Sequence, residues 1–101
     1  MNTEKFLENI KLTFEEAYNL IVIKNKDYAD QDPFKNFRMS QQVGVEPARA
    51  ILVRISDKLS RVSNLLDKEP SVSNERIEDT LNDIINYSAI LKAYLNGNKE
   101  K

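Results

Sequence analysis

Hydrophobic residues recur at helical spacing in three long segments of the chain. In the first, from about Thr3 to Asn25, apolar positions are separated by four, four, three and four residues, which places them on one face of a helix. The members of this stripe are Phe6, Ile10, Phe14, Ala17 and Ile21. Thr3 is predicted to cap this helix, with Glu4 favourable in its first turn.

The second segment starts at Pro47, which suits a first helical position because the N–H that proline lacks would have no partner there. Its apolar stripe predicts a helix that ends before Pro70. The members are Ala48, Ile51, Leu52, Ile55, Leu59, Val62 and Leu66. A polar connection over residues 68–74 is expected to follow.

The third segment is predicted to be helical from Asn74 or Glu75 to Leu95, with Gly97 just past its end. Its predicted inner face comprises Ile77, Leu81, Ile84, Ser88, Leu91 and Leu95. Residues 1–96 are therefore expected to form one domain, and residues 97–101 a frayed polar tail.

Residues 26–46, between the first two helices, lack this periodicity and mix aromatic with basic side chains. Asp32 precedes a proline, which disfavours helix at that point. A connection of about twenty residues is long for a helical domain, and such loops are often functional. A short helical turn around Asn36–Gln42 is compatible with this loop.

Composition supports an all-α fold. Two glycines and three prolines in 101 residues are too few for a chain of hairpins or a β-sandwich. A chain of three long helices at this size has a modest core, so we expect a helical-bundle dimer or a higher oligomer.

Charge and residue usage exclude several kinds of chemistry. Lys and Arg total 15 and Asp and Glu total 16, a balance that argues against a general nucleic-acid binder. The chain has no cysteine and no histidine, so any metal would meet oxygen ligands, which favour Mg²⁺, Mn²⁺ or Ca²⁺. No stretch approaches about 20 apolar residues, and the N-terminus does not resemble a signal peptide. A cytoplasmic protein is expected.

A basic ridge is predicted on the second helix. Arg54, Lys58 and Arg61 are spaced by four and three, so they project from one face, and Asp57 lies beside them. One interpretation is a solvated face with ion pairs inside the helix. The other is phosphate recognition by Lys58 and Arg61, with Asp57 orienting them or holding a metal.

Glu75, Asp79 and Asp83 stack three carboxylates along one face of the third helix. Like charges four residues apart repel, and either basic partners from the second helix or a divalent cation would relieve the repulsion. Divalent cations bridged by carboxylates can hold a pyrophosphate and activate a water molecule. The candidate Mg²⁺ ligands are Asp57, Glu75, Asp79 and Asp83, and a protein without a metal is the alternative.

The loop supplies groups suited to a nucleotide. Aromatic rings stack on bases, asparagine pairs with base edges, and lysine or arginine contacts phosphate. Alternatively, Tyr28, Phe34 and Phe37 form a small hydrophobic cluster under the loop. The candidate ligand-binding residues of the whole chain are Lys24, Lys26, Tyr28, Asn36, Arg38, Arg54, Lys58 and Arg61.

Three blocks together resemble the nucleotide modification associated domain 1 family of phages and bacteria. They are KNKDYADQDPFKNF at 24–37, ILVRISDKLSRVSNL at 51–65 and SNERIEDTLNDIINYSAI at 73–90. Ala29 stands where the family usually has glycine. The family is similar in helical architecture to MazG-like pyrophosphatases, whose E-x-x-E and E-x-x-D helices hold Mg²⁺; here Arg54 occupies one of those acidic positions.

The resemblance implies a nucleotide-sized polar pocket between helices. Three hypotheses about the function of the protein are open. The first is Mg²⁺-dependent hydrolysis of a nucleoside triphosphate, with a dimer completing each site. The second is a non-catalytic phage-type protein that sequesters a cyclic nucleotide or an ADP-ribose derivative used as a host immune signal. The third is a helical dimerisation module with no ligand.

Overall fold

A computed structural model of the chain describes residues 1–27, 33–68 and 70–99, and the side chains of residues 1–24, 33–68 and 76–97. Every regular element in these ranges is helical: α1 (Thr3–Asp27), α2 (Lys35–Arg38), a 3₁₀ segment (Met39–Val43), α3 (Pro47–Leu66) and α4 (Pro70–Lys99). The predicted all-α class is confirmed. The described part has four α-helices rather than three, because the short α2 lies within the segment predicted as a loop.

The helix ends differ from the predicted ones in two places. Asn2, not Thr3, caps α1, since its Oδ1 accepts a hydrogen bond from the Lys5 N–H at 2.8 Å. The helix α4 begins at Pro70 and ends at Lys99, whereas the sequence predicts 74 or 75 to 95. A proline ends the preceding helix but also suits the first turn of a new one. For this reason α4 begins at Pro70 itself.

Packing is centred on α4. The helix α3 lies along α4, α1 contacts α4 over a smaller area, and α1 and α3 make no direct packing contact within the described ranges. The buried apolar residues are few: Ala17, Ile51 and Leu65, with Pro47 also fully buried. Ile51, Leu65 and Pro47 belong to α3 and Ala17 to α1, so α3 contributes more of the buried apolar residues than α1 does.

Only part of the predicted apolar stripe of α3 lies on the side that packs on α4. Ile51, Ile55 and Val62 of that stripe are buried or half-buried, whereas Leu52, Leu59 and Leu66 are 49%, 55% and 67% exposed. The less exposed row runs through Ile51, Ile55, Lys58, Val62 and Leu65 instead. Both rows have helical spacing, and only the position of α4 decides between them.

A tight turn connects the 3₁₀ segment to α3. The Gly44 N–H donates to the Gln41 carbonyl at 3.1 Å, and the Val45 N–H donates to the Ser40 carbonyl at 3.0 Å. Gly44 has a φ of +79°, in the left-handed region that favours glycine. Helix α3 therefore starts from a fixed turn.

Within the described ranges no helix is both long and apolar enough to cross a membrane.

Alanine substitution of the two glycines is expected to have opposite effects on stability. A Cβ at either position meets no atom within 4 Å, so the change in stability depends on the backbone conformation alone. Gly44→Ala should cost about 1–2 kcal/mol because its φ is positive. Gly97→Ala should stabilise by up to about 1 kcal/mol, because Gly97 lies inside α4 and not past its end. Urea denaturation of both variants measures the difference; equal effects would contradict these backbone assignments.

Candidate functional site

Two lysines from different helices converge on one carboxylate of α4. The Lys58 Nζ lies 2.9 Å from Asp83 Oδ2, and the Lys24 Nζ lies 3.7 Å from Asp83 Oδ1. The side chains of Lys58 and Asp83 are each 26% exposed, whereas that of Lys24 is 63% exposed. We call Lys24, Lys58 and Asp83 the lysine–aspartate cluster. It carries one net positive charge at a partly buried position.

Helical spacing explains why Lys58 faces α4. It lies three residues after Ile55 and four before Val62, so it belongs to the less exposed row of α3. Lys24 comes from the last turns of α1. The cluster thus links α1 and α3, which have no direct packing of their own in the described part of the chain.

An arginine and two aromatic rings attach α2 to α4. The Phe34 and Tyr94 rings are 5.3 Å apart between centroids in an edge-to-face arrangement. The Arg38 guanidinium carbon lies 5.8 Å from the Phe34 centroid and 5.7 Å from that of Tyr94, within cation–π range. Arg38 therefore contacts both rings of this pair.

A second edge-to-face contact joins this region to the lysine–aspartate cluster. The Phe37 and Tyr87 centroids are 6.1 Å apart. Tyr87 is one helical turn after Asp83, so α2 lies beside the cluster along α4. Phe34 and Phe37 thus each contact a ring of α4, as the hydrophobic interpretation of the loop predicts for these two residues, while Tyr28, its third member, lies outside the described residues.

Three further predicted ligand-binding residues are exposed. Arg54 and Arg61 flank Lys58 on α3, and both are exposed, as is Asn36 on α2. The side chain of Lys26 and the whole of Tyr28 lie outside the described residues. The structure thus brings together Lys24 and Lys58 at Asp83, with Arg38 further along α4 beyond Tyr87.

The described members of the predicted set of metal ligands do not converge on one point. Asp83 pairs with two lysines, while Asp57 and Asp79 are exposed on different helices. No three metal-ligating side chains among the described ones lie close enough together to hold an ion. Glu75 has a side chain outside the described set, so Mg²⁺ binding stays a prediction. Of the two ways to relieve the carboxylate repulsion, a basic partner from the second long helix is present at Asp83.

A groove of about 320 Å³ lies between α1 and α4. Its polar lining comes from Asn9, Thr13, Glu16, Glu78 and Asn82. Two carboxylates and no basic side chain line it, so it does not favour a phosphate. The lysine–aspartate cluster, next along α4 at Asp83, has the charge that a phosphate requires.

The fold and this site together define a small all-helical protein with a cationic, partly buried cluster on its central helix. A family profile described as nucleotide modification associated domain 1 matches residues 24–93, which is most of the chain. The chain belongs to this family. The match starts at Lys24 and includes Lys58 and Asp83. A search of curated proteins and a search of solved structures each gave no match.

Proposed function

We propose that this protein binds a nucleotide or nucleotide-derived molecule, and that the lysine–aspartate cluster contacts its phosphate groups. The observation that carries the proposal is the convergence of Lys24 and Lys58 on Asp83. Two ammonium groups exceed one carboxylate by a full positive charge. An anion that approaches the cluster meets donors that are already in position, because Asp83 holds both of them.

The surroundings of the cluster fit a ligand with more than one phosphate. Arg54 and Arg61 are exposed within one turn of Lys58 on either side of it, so they extend the cationic surface along α3. Arg38 of α2 adds a guanidinium that lies beside the Phe34 and Tyr94 rings. Family membership supports a nucleotide over an unrelated polyanion.

Binding without turnover is the form of this function that the charges support best. Asp83 is paired with two lysines, which compete with a metal ion for its oxygens. Sequestration of a nucleotide signal, such as a cyclic nucleotide or an ADP-ribose derivative, would need no metal. In a phage-encoded protein it would act against host defence in the bacterial cytoplasm.

Mg²⁺-dependent hydrolysis of a nucleoside triphosphate is the second candidate. It is favoured by Asp79, which is exposed one turn before Asp83 on α4 and is available to a cation. In this mechanism Asp57, Glu75, Asp79 and Asp83 would hold Mg²⁺ and the basic residues would neutralise the phosphates.

A thermal-shift screen tests the proposal, using triphosphates, cyclic nucleotides and ADP-ribose, each with and without Mg²⁺. A ligand at 100 times its dissociation constant stabilises the folded state by about 2.7 kcal/mol, which is easily detected in a chain of this size. We expect a shift with at least one nucleotide. A shift that requires Mg²⁺, with release of pyrophosphate, would favour hydrolysis; no shift with any nucleotide would contradict both candidates.

Asp83→Asn separates the two candidates. In a binding protein, loss of the carboxylate removes the competitor for both lysines, so affinity for the nucleotide found in the screen should be kept or increased. In a hydrolase that holds Mg²⁺ at Asp83, turnover should fall by at least about 100-fold, on the scale of a lost catalytic group. Glu8→Gln, which removes an exposed carboxylate from α1, is the matched control and should change neither quantity.

A further inference from the structure

Helix α3 has an apolar face that points away from α4. Leu52, Leu59 and Leu66 are spaced by seven residues and are 49%, 55% and 67% exposed. We call these three residues the leucine face. A spacing of seven residues places these three side chains in one row along the helix, as at one core position of a heptad in helix–helix packing.

Small uncharged residues surround the leucine face. Ser56, Ser60 and Ser63 lie beside the leucines on the same side of α3, and all three are exposed. Short side chains let a second helix approach closely. The charged residues in the middle of α3 lie elsewhere, with Arg54 and Arg61 nearly opposite Leu59 around the helix.

Opposite charges mark the two ends of this surface. Arg49 precedes it and Asp67 follows it, and both are exposed. They are eighteen residues apart, which is five turns at 3.6 residues per turn, so they lie on the same side of α3. If two copies of α3 pair in antiparallel orientation, each Arg49 meets the Asp67 of the other copy. Parallel pairing would leave the Arg49 of one copy and the Asp67 of the other at opposite ends of the interface.

The chain also exposes more surface than a compact protein of its size. Its accessible surface is 8198 Å², against about 5,900 Å² for a compact chain of 11.7 kDa. The radius of gyration is 15.8 Å, against about 13 Å for a compact domain of this length. The surplus exceeds the roughly 800 Å² that each partner contributes to a standard interface.

We propose that the leucine face is covered by a second copy of this chain, paired in antiparallel orientation about a two-fold axis at Leu59. Leu52 then contacts Leu66 of the second copy, and Arg49 pairs with its Asp67. Such an interface is self-complementary, as two-fold symmetry requires. It leaves Lys58, Arg54 and Arg61 open, so this inference does not depend on the proposed nucleotide binding.

Sedimentation velocity tests whether the chain is a dimer and whether this face holds it together. The wild-type chain should sediment as a dimer, and Leu59→Glu should be monomeric because it places two carboxylates together at the axis. Asn64→Glu adds the same charge on another side of α3 and should remain dimeric. Circular dichroism should show equal helix content in all three. A monomeric wild type, or a dimeric Leu59→Glu, would overturn the proposal.

Cysteine cross-linking tests the orientation, and the absence of native cysteines makes it direct. Under oxidation, Leu59→Cys alone should form a disulfide-linked dimer. Leu52→Cys should not link to itself but should link to Leu66→Cys when the two variants are mixed. Efficient self-linking of Leu52→Cys would indicate parallel pairing and contradict the proposed arrangement.

Discussion

Replacing Lys58 with alanine is expected to weaken binding of a phosphate-bearing nucleotide by about 10–100-fold, the equivalent of one charge-assisted hydrogen bond. Lys58 is the better buried of the two lysines, and its ammonium lies 2.9 Å from Asp83. Its removal leaves Asp83 paired with Lys24 alone and abolishes the net positive charge. Isothermal titration calorimetry with the nucleotide that gives the largest thermal shift measures the loss.

Lys92→Ala is the matched control for this experiment. Lys92 is an exposed lysine on α4, nine residues after Asp83 and so about 13 Å further along the helix. Its loss removes the same charge from the chain but not from the cluster, so affinity should change by less than about twofold. Equal losses in Lys58→Ala and Lys92→Ala would mean that the ligand responds to overall charge, and the assigned site would be wrong.

Truncating Ile51 to alanine is expected to destabilise the chain by about 2–5 kcal/mol, the usual range for a large-to-small change in a core. Ile51 is 0% exposed and is one of very few buried apolar residues in the described part of the chain. A loss of that size corresponds to a fall in Tm of more than about 8 °C. Thermal unfolding followed by circular dichroism measures it.

Val53→Ala provides the comparison two residues away on the same helix. Val53 is 57% exposed, so its truncation should change stability by less than about 0.5 kcal/mol. If Ile51→Ala were as mild as Val53→Ala, the side of α3 that packs on α4 would have to be reassigned.

Helix α3 shows where inference from sequence succeeds and where it stops. Its start at Pro47 follows from local chemistry, and the structure confirms it. The side that faces α4 does not follow, because apolar residues occur both in the row with Ile51 and in the row with Leu59. A period of 3.6 defines a helix, but the neighbouring helix selects the buried row.

The candidate site shows the same limit. The basic ridge and the carboxylates of the third predicted helix are visible in the sequence, and so is the idea that one neutralises the other. The pairing of Lys24 with Asp83 cannot be seen in the sequence, because the two residues are 59 positions apart and no local pattern links them. The short helical turn expected around Asn36–Gln42 is present as α2 and the 3₁₀ segment. The contact between distant rings that attaches it to α4, such as that of Phe34 with Tyr94, has no local signal in the sequence.

The central claim is that phosphate binds at the lysine–aspartate cluster, and amide chemical-shift mapping with pyrophosphate tests it most directly. Titration into the ¹⁵N-labelled wild-type chain should move the signals of Lys24, Lys58 and Asp83 along one saturating curve. Signals near Asn9, in the acidic groove, should stay in place. Saturable shifts confined to the groove, or no saturable shift at the cluster, would contradict the account.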